Sequence, residues 1–138
     1  MPGDPVLTEA PPISEPEPEL LGRGKRERPP TRYYSEVTKL RFGCKTHHIR
    51  IGFYPDGRVC DVFISSSKTG SDMRAILDTL AITASMYLQM GGSVQELAAK
   101  LRHTKFEPSG PVENPEGSGV ETVSSVADAL AQLLEIYQ

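Results

Sequence analysis

The sequence of 138 residues has no tryptophan, only two cysteines and no long hydrophobic run. No apolar stretch approaches the roughly 20 residues that a membrane-spanning helix needs, and the N-terminus lacks the basic start and apolar centre of a signal peptide. We therefore expect a cytoplasmic protein without membrane contact. Cys44 and Cys60 are too few for a disulfide scaffold or a four-thiolate zinc site, so we expect two free thiols. A disulfide between neighbouring strands is the alternative.

Patterns typical of catalysis and metal binding are also missing. His47 and His48 are adjacent, and adjacent strand residues point to opposite faces, so the pair does not easily bind one metal ion. Nothing in the spacing places a serine or cysteine nucleophile beside a histidine and a carboxylate. The sequence therefore predicts no catalytic residue, no metal and no cofactor.

Basic residues are absent from both ends of the chain and concentrated in its middle. Residues 1–22 hold five acidic residues, residues 23–105 hold all fifteen Lys and Arg with seven acidic residues, and residues 106–138 hold six acidic residues. The middle thus carries a local net charge of +8, whereas the whole chain carries −3. A basic surface attracts phosphates or acidic proteins, for which an acidic tail can compete. The alternative is that the charges only solvate a small domain.

Proline marks residues 1–32 as an N-terminal arm. Eight of the twelve prolines fall within the first 30 residues, where no periodic apolar pattern supplies a core. We expect this arm to be disordered, acidic at first and then basic through Arg23, Lys25, Arg26, Arg28 and Arg32. An α+β domain over residues 33–112, a flexible loop over 113–122 and a C-terminal helix within 123–138 are predicted to follow.

Two segments, "EVTKLRFG" and "THHIRIGFY", alternate apolar and polar residues with the period of a strand. "YPDGR" then predicts a reverse turn, because Pro55 presets φ, Asp56 suits a turn and Gly57 accepts positive φ. The returning strand "RVCDVFISS" is apolar on both sides, so we expect it at the centre of the sheet. The pattern predicts a three-stranded antiparallel meander that can leave one face open.

From Ser71 onward apolar residues recur every three or four positions, which predicts a long helix. Gly91 and Gly92 stop this helix, and a capping box of Ser93 and Glu96 begins a shorter one, giving a helical hairpin. The segment "SVADALAQLLEIY" resumes the helical pattern near the C-terminus. The predicted fold class is therefore α+β, a meander packed by a long helix and a helical hairpin, plus a C-terminal helix.

The joint between the third strand and the long helix, "SSSKTGS", is rich in hydroxyl groups. At a helix N-terminus, free amides and the helix dipole favour an anion. The candidate anion-binding residues are Ser66, Ser67, Lys68, Thr69, Gly70 and Ser71. The spacing does not match the phosphate loop G-x-x-x-x-G-K-[ST]. Two interpretations stay open: a specific anion site, or plain capping of the helix by Ser71 and Asp72.

Cations on or beside the sheet form a second candidate site. A wet sheet face with cations and aromatics can grip a phosphate backbone and stack bases, and Tyr33 and Tyr34 follow the basic arm. The candidate residues are Lys39, Arg41, Lys45, Arg50 and Arg58, together with the cations of the arm. Phe42 and Phe53 are expected in the core instead.

Several of these motifs, in this order, resemble those of the TSCPD domain. They are "FYPDGR", "DVFISSSKTGS", "GGSVQELAAKLR" and the turn "EPSGPV", and the likeness spans residues 26 to about 112. TSCPD domains lie near the C-terminus of adenosylcobalamin-dependent (class II) ribonucleotide reductases and occur as short free-standing bacterial and phage proteins. Where the family can show a cysteine after the K-x-G joint, this sequence has Ser71 and Asp72. The resemblance implies a relation to the reductases without their catalytic barrel or tail cysteines.

The leading functional hypothesis is a non-catalytic interaction module that docks a phosphate-bearing or acidic partner on its basic face. The resemblance implies an alternative, an accessory or regulatory subunit that acts with a reductase large subunit. A third hypothesis is a nucleic-acid-binding or structural protein, such as an oligomeric virion component, because proline-rich arms often lie along neighbouring subunits. No turnover by this chain alone is expected.

Overall fold

The three strands of the predicted meander are present and follow one another in the sheet. The computed structural model describes residues 25–137, in which β1 covers Tyr34–Phe42, β2 covers Lys45–Phe53 and β3 covers Val59–Ser66. The strand order is β1-β2-β3, and both pairs are antiparallel. The predicted α+β class and its antiparallel meander are confirmed.

Strand β3 lies at an edge of the sheet, so its predicted central position is wrong. The central strand is β2. Val62 and Ile64 of β3 are buried, whereas Phe63 between them is 45% exposed. The chain leaves the sheet after Ser66 and forms a helix over one face only. The apolar outer side of β3 therefore has no second layer of the domain against it.

The turn between β2 and β3 is the one that the sequence predicts. Gly57 has a φ of +95°, which a glycine adopts without strain. Its N–H donates to the carbonyl of Tyr54 at 2.8 Å, and the N–H of Tyr54 donates to the carbonyl of Arg58 at 2.8 Å. The Asp56 carboxylate accepts from the N–H of Arg58 at 3.1 Å and fixes the turn from the side.

The long helix α1, Ser71–Gln89, packs on β3 and covers one face of the sheet. Its buried residues Leu77, Ala81, Ala84 and Leu88 follow the predicted spacing. They join the sheet residues that point to the same side, which are Leu40, Phe42, Ile49, Ile51, Val62 and Ile64. Complete burial of such aliphatic side chains contributes roughly 1.5–3 kcal/mol each relative to exposure. Gly91, with a φ of +96°, ends the helix as predicted.

Helix α2 covers Val94–Leu101. Only half of the predicted capping box forms at its start. The Ser93 hydroxyl accepts from the N–H of Glu96 at 3.2 Å. The N–H of Ser93 donates to the hydroxyl of Tyr87 at 2.9 Å. The tyrosine thus takes the place that the Glu96 carboxylate has in a complete capping box.

The C-terminal helix is confirmed as α3, Val126–Leu134, followed by a 3-10 helix over Glu135–Tyr137. Helix α3 packs against α2 and is buried along almost its whole length. Its N-cap hydroxyl, from Ser125, accepts from the N–H of Asp128 at 3.0 Å. The C-terminal segment is therefore part of the core.

The segment between α2 and α3 returns along the outer edge of β1. It contains two short paired strands, β4 at Gly110–Pro111 and β5 at Thr122–Val123. The Asn114 side chain accepts from the N–H of Arg41 at 2.9 Å and donates to the carbonyl of Lys39 at 3.0 Å. This amide covers part of the β1 edge. The flexibility expected for residues 113–122 stays a prediction.

The described part of the expected arm, residues 25–32, contacts the domain. The N–H of Glu27 donates to the carbonyl of Gln89 at 2.9 Å, and the hydroxyl of Tyr54 donates to the carbonyl of Glu27. These bonds tie the segment to the end of α1 and to the β2–β3 hairpin. The expectations for residues 1–24, including Arg23, fall outside the described residues.

No helix among residues 25–137 has the length and apolar character needed to cross a bilayer. Cys44 is exposed and Cys60 is buried, and both are free thiols. Within the same residues, no group of three or more His, Cys, Asp or Glu side chains could hold a metal ion.

Candidate functional site

Among residues 25–137, no helix covers the second face of the sheet, which presents the outward side chains of all three strands. Pairing of β1 with β2 and of β2 with β3 aligns these side chains in rows across the sheet. We call this surface the open face; its residues are Val37, Lys39, Arg41, His48, Arg50, Phe63 and Ser65. Alternation along each strand places them opposite the core residues, as expected for a sheet with one covered side.

The middle row of the open face joins an aliphatic side chain, a cation and an aromatic ring. Arg50 lies opposite Val37 on β1 and opposite Phe63 on β3. Val37 is 57% exposed and Phe63 is 45% exposed. The guanidinium carbon of Arg50 lies 4.9 Å from the centre of the Phe63 ring, which is a cation–π contact. This row therefore presents a positive charge between two exposed apolar side chains.

The next rows toward the β1–β2 turn are cationic and polar. Lys39 lies opposite His48, and His48 lies opposite Ser65. Arg41 follows in the last row, where its guanidinium donates to the hydroxyl of Thr46 at 3.1 Å. Arg41 also pairs with Glu113 at 3.3 Å, and both side chains are about half exposed, so water screens the pair strongly.

The opposite end of the open face is closed by Tyr33 and Asp61. The Tyr33 hydroxyl donates to one carboxylate oxygen of Asp61 at 2.6 Å, and this hydrogen bond, with burial and the negative charge, raises the pKa of Tyr33 to about 12. A Cβ at Gly52 would lie 2.9 Å from the tyrosine ring and 2.3 Å from Asp61 Oδ1. Glycine at position 52 therefore lets the ring and the carboxylate approach the sheet.

The second oxygen of that carboxylate, Asp61 Oδ1, is buried and has no hydrogen-bond partner among the described residues. A buried acceptor without a partner destabilises the fold. Asp61 places a carboxylate at this end of the open face, in the row next to Arg50 and Phe63, whereas Lys39 and Arg41 lie toward the other end.

Around the edge of β3, a groove of about 820 Å³ separates the strand from α1. Its exposed apolar walls are Phe63, Ile82 and Met86. Two cations, Arg26 and Arg74, line it together with Asp61 and Asp78. The groove thus begins at the same phenylalanine that forms the middle of the open face.

Side chains of α1 occupy part of the β3 edge inside this groove. The Ser85 hydroxyl accepts from the N–H of Val62 at 2.9 Å and donates to its carbonyl at 3.1 Å. The Gln89 amide donates to the carbonyl of Cys60 at 3.0 Å. These contacts replace a neighbouring strand, which protects the edge from pairing with another chain.

The start of α1 is not capped by a side chain, so the expectation that Ser71 and Asp72 cap it is wrong. The N-cap is Gly70, with φ −67° and ψ 165°, and no side chain accepts from the first-turn amides. Ser71 is already the first helical residue, a position from which its hydroxyl does not act as the N-cap. Exposed Lys68 and Ser71 flank this helix start, whose first amides have no capping side chain among the described residues.

Three hydroxyls of the same joint are engaged within the fold. Ser66 lies 2.7 Å from Nδ1 of His47, and the Ser67 hydroxyl accepts from the N–H of Thr46 at 3.0 Å. Thr69 donates to the carbonyls of Ser66 and Ser67 at 3.0 and 3.1 Å. These contacts hold the chain between β3 and α1 in place. Among the six candidate residues, Lys68, Gly70 and Ser71 present the outward surface.

The nine candidate cations within the described residues do not form one surface. Lys39, Arg41 and Arg50 lie on the open face, while Lys45 lies opposite Phe42 on the core side of the sheet. Arg58 lies at the β2–β3 turn, where it pairs with Asp56 at 2.8 Å and with Glu27 at 2.9 Å. Arg26 donates to the Gln89 side chain at 2.6 Å in the groove. Lys25, Arg28 and Arg32 are exposed in the N-terminal segment.

Sequence reasoning did not assign a binding role to Phe63, His48 or Arg74. The alternation of β2 already pointed His48 outward, so that signal was available. Both sides of β3 are apolar in the sequence, so the pattern did not show that Phe63 points outward. Arg74 is the fourth residue of α1, and its place in the groove depends on how α1 packs on β3.

Of the two free thiols, the buried one of Cys60 is unsuited to nucleophilic chemistry. It is fully buried, and burial with the nearby Asp61 charge raises the pKa of its thiol to about 11. The thiolate is the reactive form of cysteine, so this residue is inert at neutral pH.

Comparison with known sequences identifies the family. The profile of the TSCPD domain matches residues 19–138. The chain belongs to the TSCPD domain family. The match extends beyond the resemblance at residues 26 to 112 and takes in β5 and α3. The buried C-terminal helix of this TSCPD domain is thus part of the family's domain.

The curated relatives of this TSCPD domain include much longer proteins named vitamin B12-dependent ribonucleotide reductase. That of Rhodopirellula baltica is 31% identical over 85% of this chain and 11% of its own length. That of Bradyrhizobium diazoefficiens is 30% identical over 81% and 9%, and that of Streptantibioticus cattleyicolor is 29% identical over 94% and 21%. The match lies in the C-terminal region of these reductases. No solved structure matches the chain significantly.

Proposed function

We propose that this TSCPD domain is a non-catalytic interaction module that docks a phosphate-bearing or acidic partner on its open face. The observation that carries the proposal is the set of cations on an uncovered sheet. No carboxylate of residues 25–137 lies within 4 Å of the Lys39 or Arg50 charge. Exposed, unpaired cations on one surface attract anions over a distance set by the ionic strength.

The start of α1 supports the same proposal from the neighbouring groove. Its amides have no side-chain cap, and Lys68 and Arg74 are exposed beside them. Together with the helix dipole, these groups favour a phosphate or a carboxylate of the docked partner. Asp72 in the first turn carries the opposite charge and moderates that attraction.

A salt titration of binding tests the proposal. The full chain is titrated with single-stranded DNA, RNA, polyphosphate and polyglutamate at several salt concentrations. We expect affinity to fall with salt, and Lys39→Glu or Arg50→Glu to reduce the slope of log affinity against log salt by about one per lost phosphate contact. The matched control is Lys100→Glu, which makes the same charge change at an exposed position of α2. Failure of every polyanion to bind overturns the proposal.

A second candidate function is that of an accessory or regulatory subunit of a ribonucleotide reductase. It is favoured by the family match and by the names of the relatives, of whose length this chain spans 9–21% in the three compared. The test mixes the chain with the B12-dependent reductase of its own host. Co-elution or a change in the reductase rate supports this function, whereas neither effect at micromolar concentrations contradicts it.

A further inference from the structure

We propose that the partner of the open face is single-stranded nucleic acid, with a base stacked on the Phe63–Arg50 pair and phosphates on Lys39, Arg41 and His48. This inference rests on the proposed function and names the chemistry of its partner. Both DNA and RNA strands carry that chemistry. The alternatives within the proposed function are an acidic polypeptide and a polyphosphate.

The first argument is the aromatic ring at the centre of the cationic surface. Phe63 is 45% exposed in a strand whose neighbours Val62 and Ile64 are 4% and 2% exposed. An acidic polypeptide or a polyphosphate requires only cations. A nucleic acid strand uses both a positive surface for phosphates and an aromatic surface for bases.

The second argument is the stacked arrangement of Arg50 and Phe63. The guanidinium carbon of Arg50 lies over the Phe63 ring, 4.9 Å from the ring centre. Aromatic rings and guanidinium planes are the two protein surfaces on which unpaired bases stack. Arg50 can therefore contact a base with its plane or a phosphate with its donors.

The third argument is the shape of the surface. Same-side residues on a strand are about 6.8 Å apart and neighbouring strands about 4.8 Å apart, so the open face is a flat area a few nucleotides across. Duplex DNA is read by elements that enter its major groove, and a flat sheet face meets only its phosphates. Bases reach Phe63 only when they are unpaired.

The fourth argument is that the charges on the open face determine how a bound strand lies on it. Tyr33 and Asp61 close one end of the open face, and their carboxylate repels phosphates. Lys39 and Arg41 lie at the other end of β1, beyond the middle row. A bound strand is thus placed with a base over Phe63 and its phosphates toward the cations.

The experiment separates stacking from charge. Binding is measured by fluorescence anisotropy with labelled oligomers of about twelve units, long enough for the roughly 4–16 nucleotides that small single-strand-binding folds occupy. The probes are oligo-dT, oligo-rU, an abasic DNA strand with the same phosphates, the oligo-dT duplex with oligo-dA, and polyglutamate. We expect oligo-dT or oligo-rU to bind about tenfold more tightly than the abasic strand, because base–aromatic stacking adds affinity for each stacked base.

The variants test whether Phe63 causes the difference in affinity between the base-containing strands and the abasic strand. Phe63→Ala should abolish the difference in affinity between oligo-dT and the abasic strand, and Phe63→Tyr should keep that difference. Lys39→Glu should weaken both probes. Circular dichroism and thermal melting of each variant confirm that it is folded, and Phe63→Tyr remains informative if Phe63→Ala unfolds.

The results distinguish the single-strand inference from the broader proposed function. Equal binding of oligo-dT, oligo-rU and the abasic strand, or tighter binding of the duplex or of polyglutamate, overturns the single-strand inference and leaves the proposed function standing. A preference for bases that survives Phe63→Ala in a folded protein also overturns it. Failure of all probes to bind overturns both.

Discussion

The carboxylate of Asp128 accepts hydrogen bonds from the Arg102 guanidinium and from the N–H of His103, each at 2.7 Å, while only 1% exposed. Its other oxygen accepts from the N–H of Ser124 at 2.9 Å and from the Gln132 amide at 3.1 Å. Through these hydrogen bonds, the Asp128 side chain holds both the segment that follows α2 and the start of α3. This arrangement connects the two C-terminal helices that the family match includes.

Replacement of this carboxylate is expected to weaken the fold strongly. Asp128→Asn keeps the volume, but it removes the nearer and more buried of the two carboxylates that pair with Arg102, the other being Glu135 at 3.5 Å, and turns an acceptor into a donor facing N–H groups. We expect a loss of roughly 3 kcal/mol in the free energy of unfolding, measured by urea titration. The control is Glu107→Gln in the exposed Lys105–Glu107 pair, which should have no measurable effect. Equal stability of Asp128→Asn and wild type would contradict the structural role.

The same carboxylate should make the stability of the fold depend on pH, and its pKa determines the direction of that effect. Burial acts to raise the pKa of Asp128, but hydrogen bonds from His103, Ser124, Arg102 and Gln132 outweigh it and lower the pKa below the usual value. Its contribution is therefore complete above the unfolded pKa of about 4 and is lost as pH falls through the folded value. Unfolding midpoints between pH 6 and pH 2 should fall less steeply for Asp128→Asn than for wild type.

Gly52→Ala is expected to disturb the closed end of the open face. The new Cβ would lie 2.3 Å from Asp61 Oδ1, so the carboxylate and the Tyr33 ring must move. We expect a loss of roughly 1–3 kcal/mol in unfolding free energy. A smaller loss in an Asp61→Ala background would assign the effect to this contact, because contacting residues are not additive. Identical losses in both backgrounds would point to another cause.

The two cysteines should react at very different rates. Cys44 is exposed, whereas Cys60 is fully buried with a pKa raised to about 11 by burial and by the Asp61 charge. Titration with a thiol reagent at pH 8 should label one cysteine within minutes and the second only in denaturant. Cys44→Ser should remove the fast phase. A fast phase that persists in this variant would show that Cys60 is accessible.

The alternation of β1 and β2 predicted the side on which Lys39, Arg41 and Arg50 lie. Periodicity is a local property, so the sequence carries it completely. The position of β3 is not local: two apolar sides fit a central strand, and also an edge strand whose outer side stays open. The sequence therefore did not show that Phe63 lies exposed on the open face.

The start of α1 shows a second limit. A hydroxyl and a carboxylate at positions 71 and 72 fit a cap, yet the helix begins one residue too early for Ser71 to act as one. That start is set by Thr69, which bonds back to Ser66 and Ser67. Likewise, the Asn114 contacts with Arg41 and Lys39 join residues more than 70 positions apart, which no periodic pattern encodes.

His47 connects β2 to the joint between β3 and α1. Because it is buried there, we expect the fold to lose stability in weak acid. It is 1% exposed, stacks on Phe42 with ring centres 4.0 Å apart, and has Ser66 at Nδ1 and the Phe42 carbonyl at Nε2. Burial lowers its pKa, with smaller contributions from the Lys45 and His48 charges, although the Phe42 carbonyl acts in the opposite direction. In the pH range between the two pKa values, the unfolded chain therefore binds more protons than the folded chain does.

Stability should consequently be complete above the unfolded histidine pKa of about 6.5 and decline as pH falls below it toward the lower folded value. Urea midpoints between pH 7.5 and pH 5 measure this slope. His47→Gln should lower stability at pH 7.5 and flatten the slope, because the titrating group is gone and glutamine only partly replaces its contacts. His48→Gln, at an exposed position of the same strand, should change the slope much less than His47→Gln does, because the His48 charge is only a small contribution to the lowered pKa of His47. A slope that His47→Gln does not alter would assign the acid sensitivity to another group.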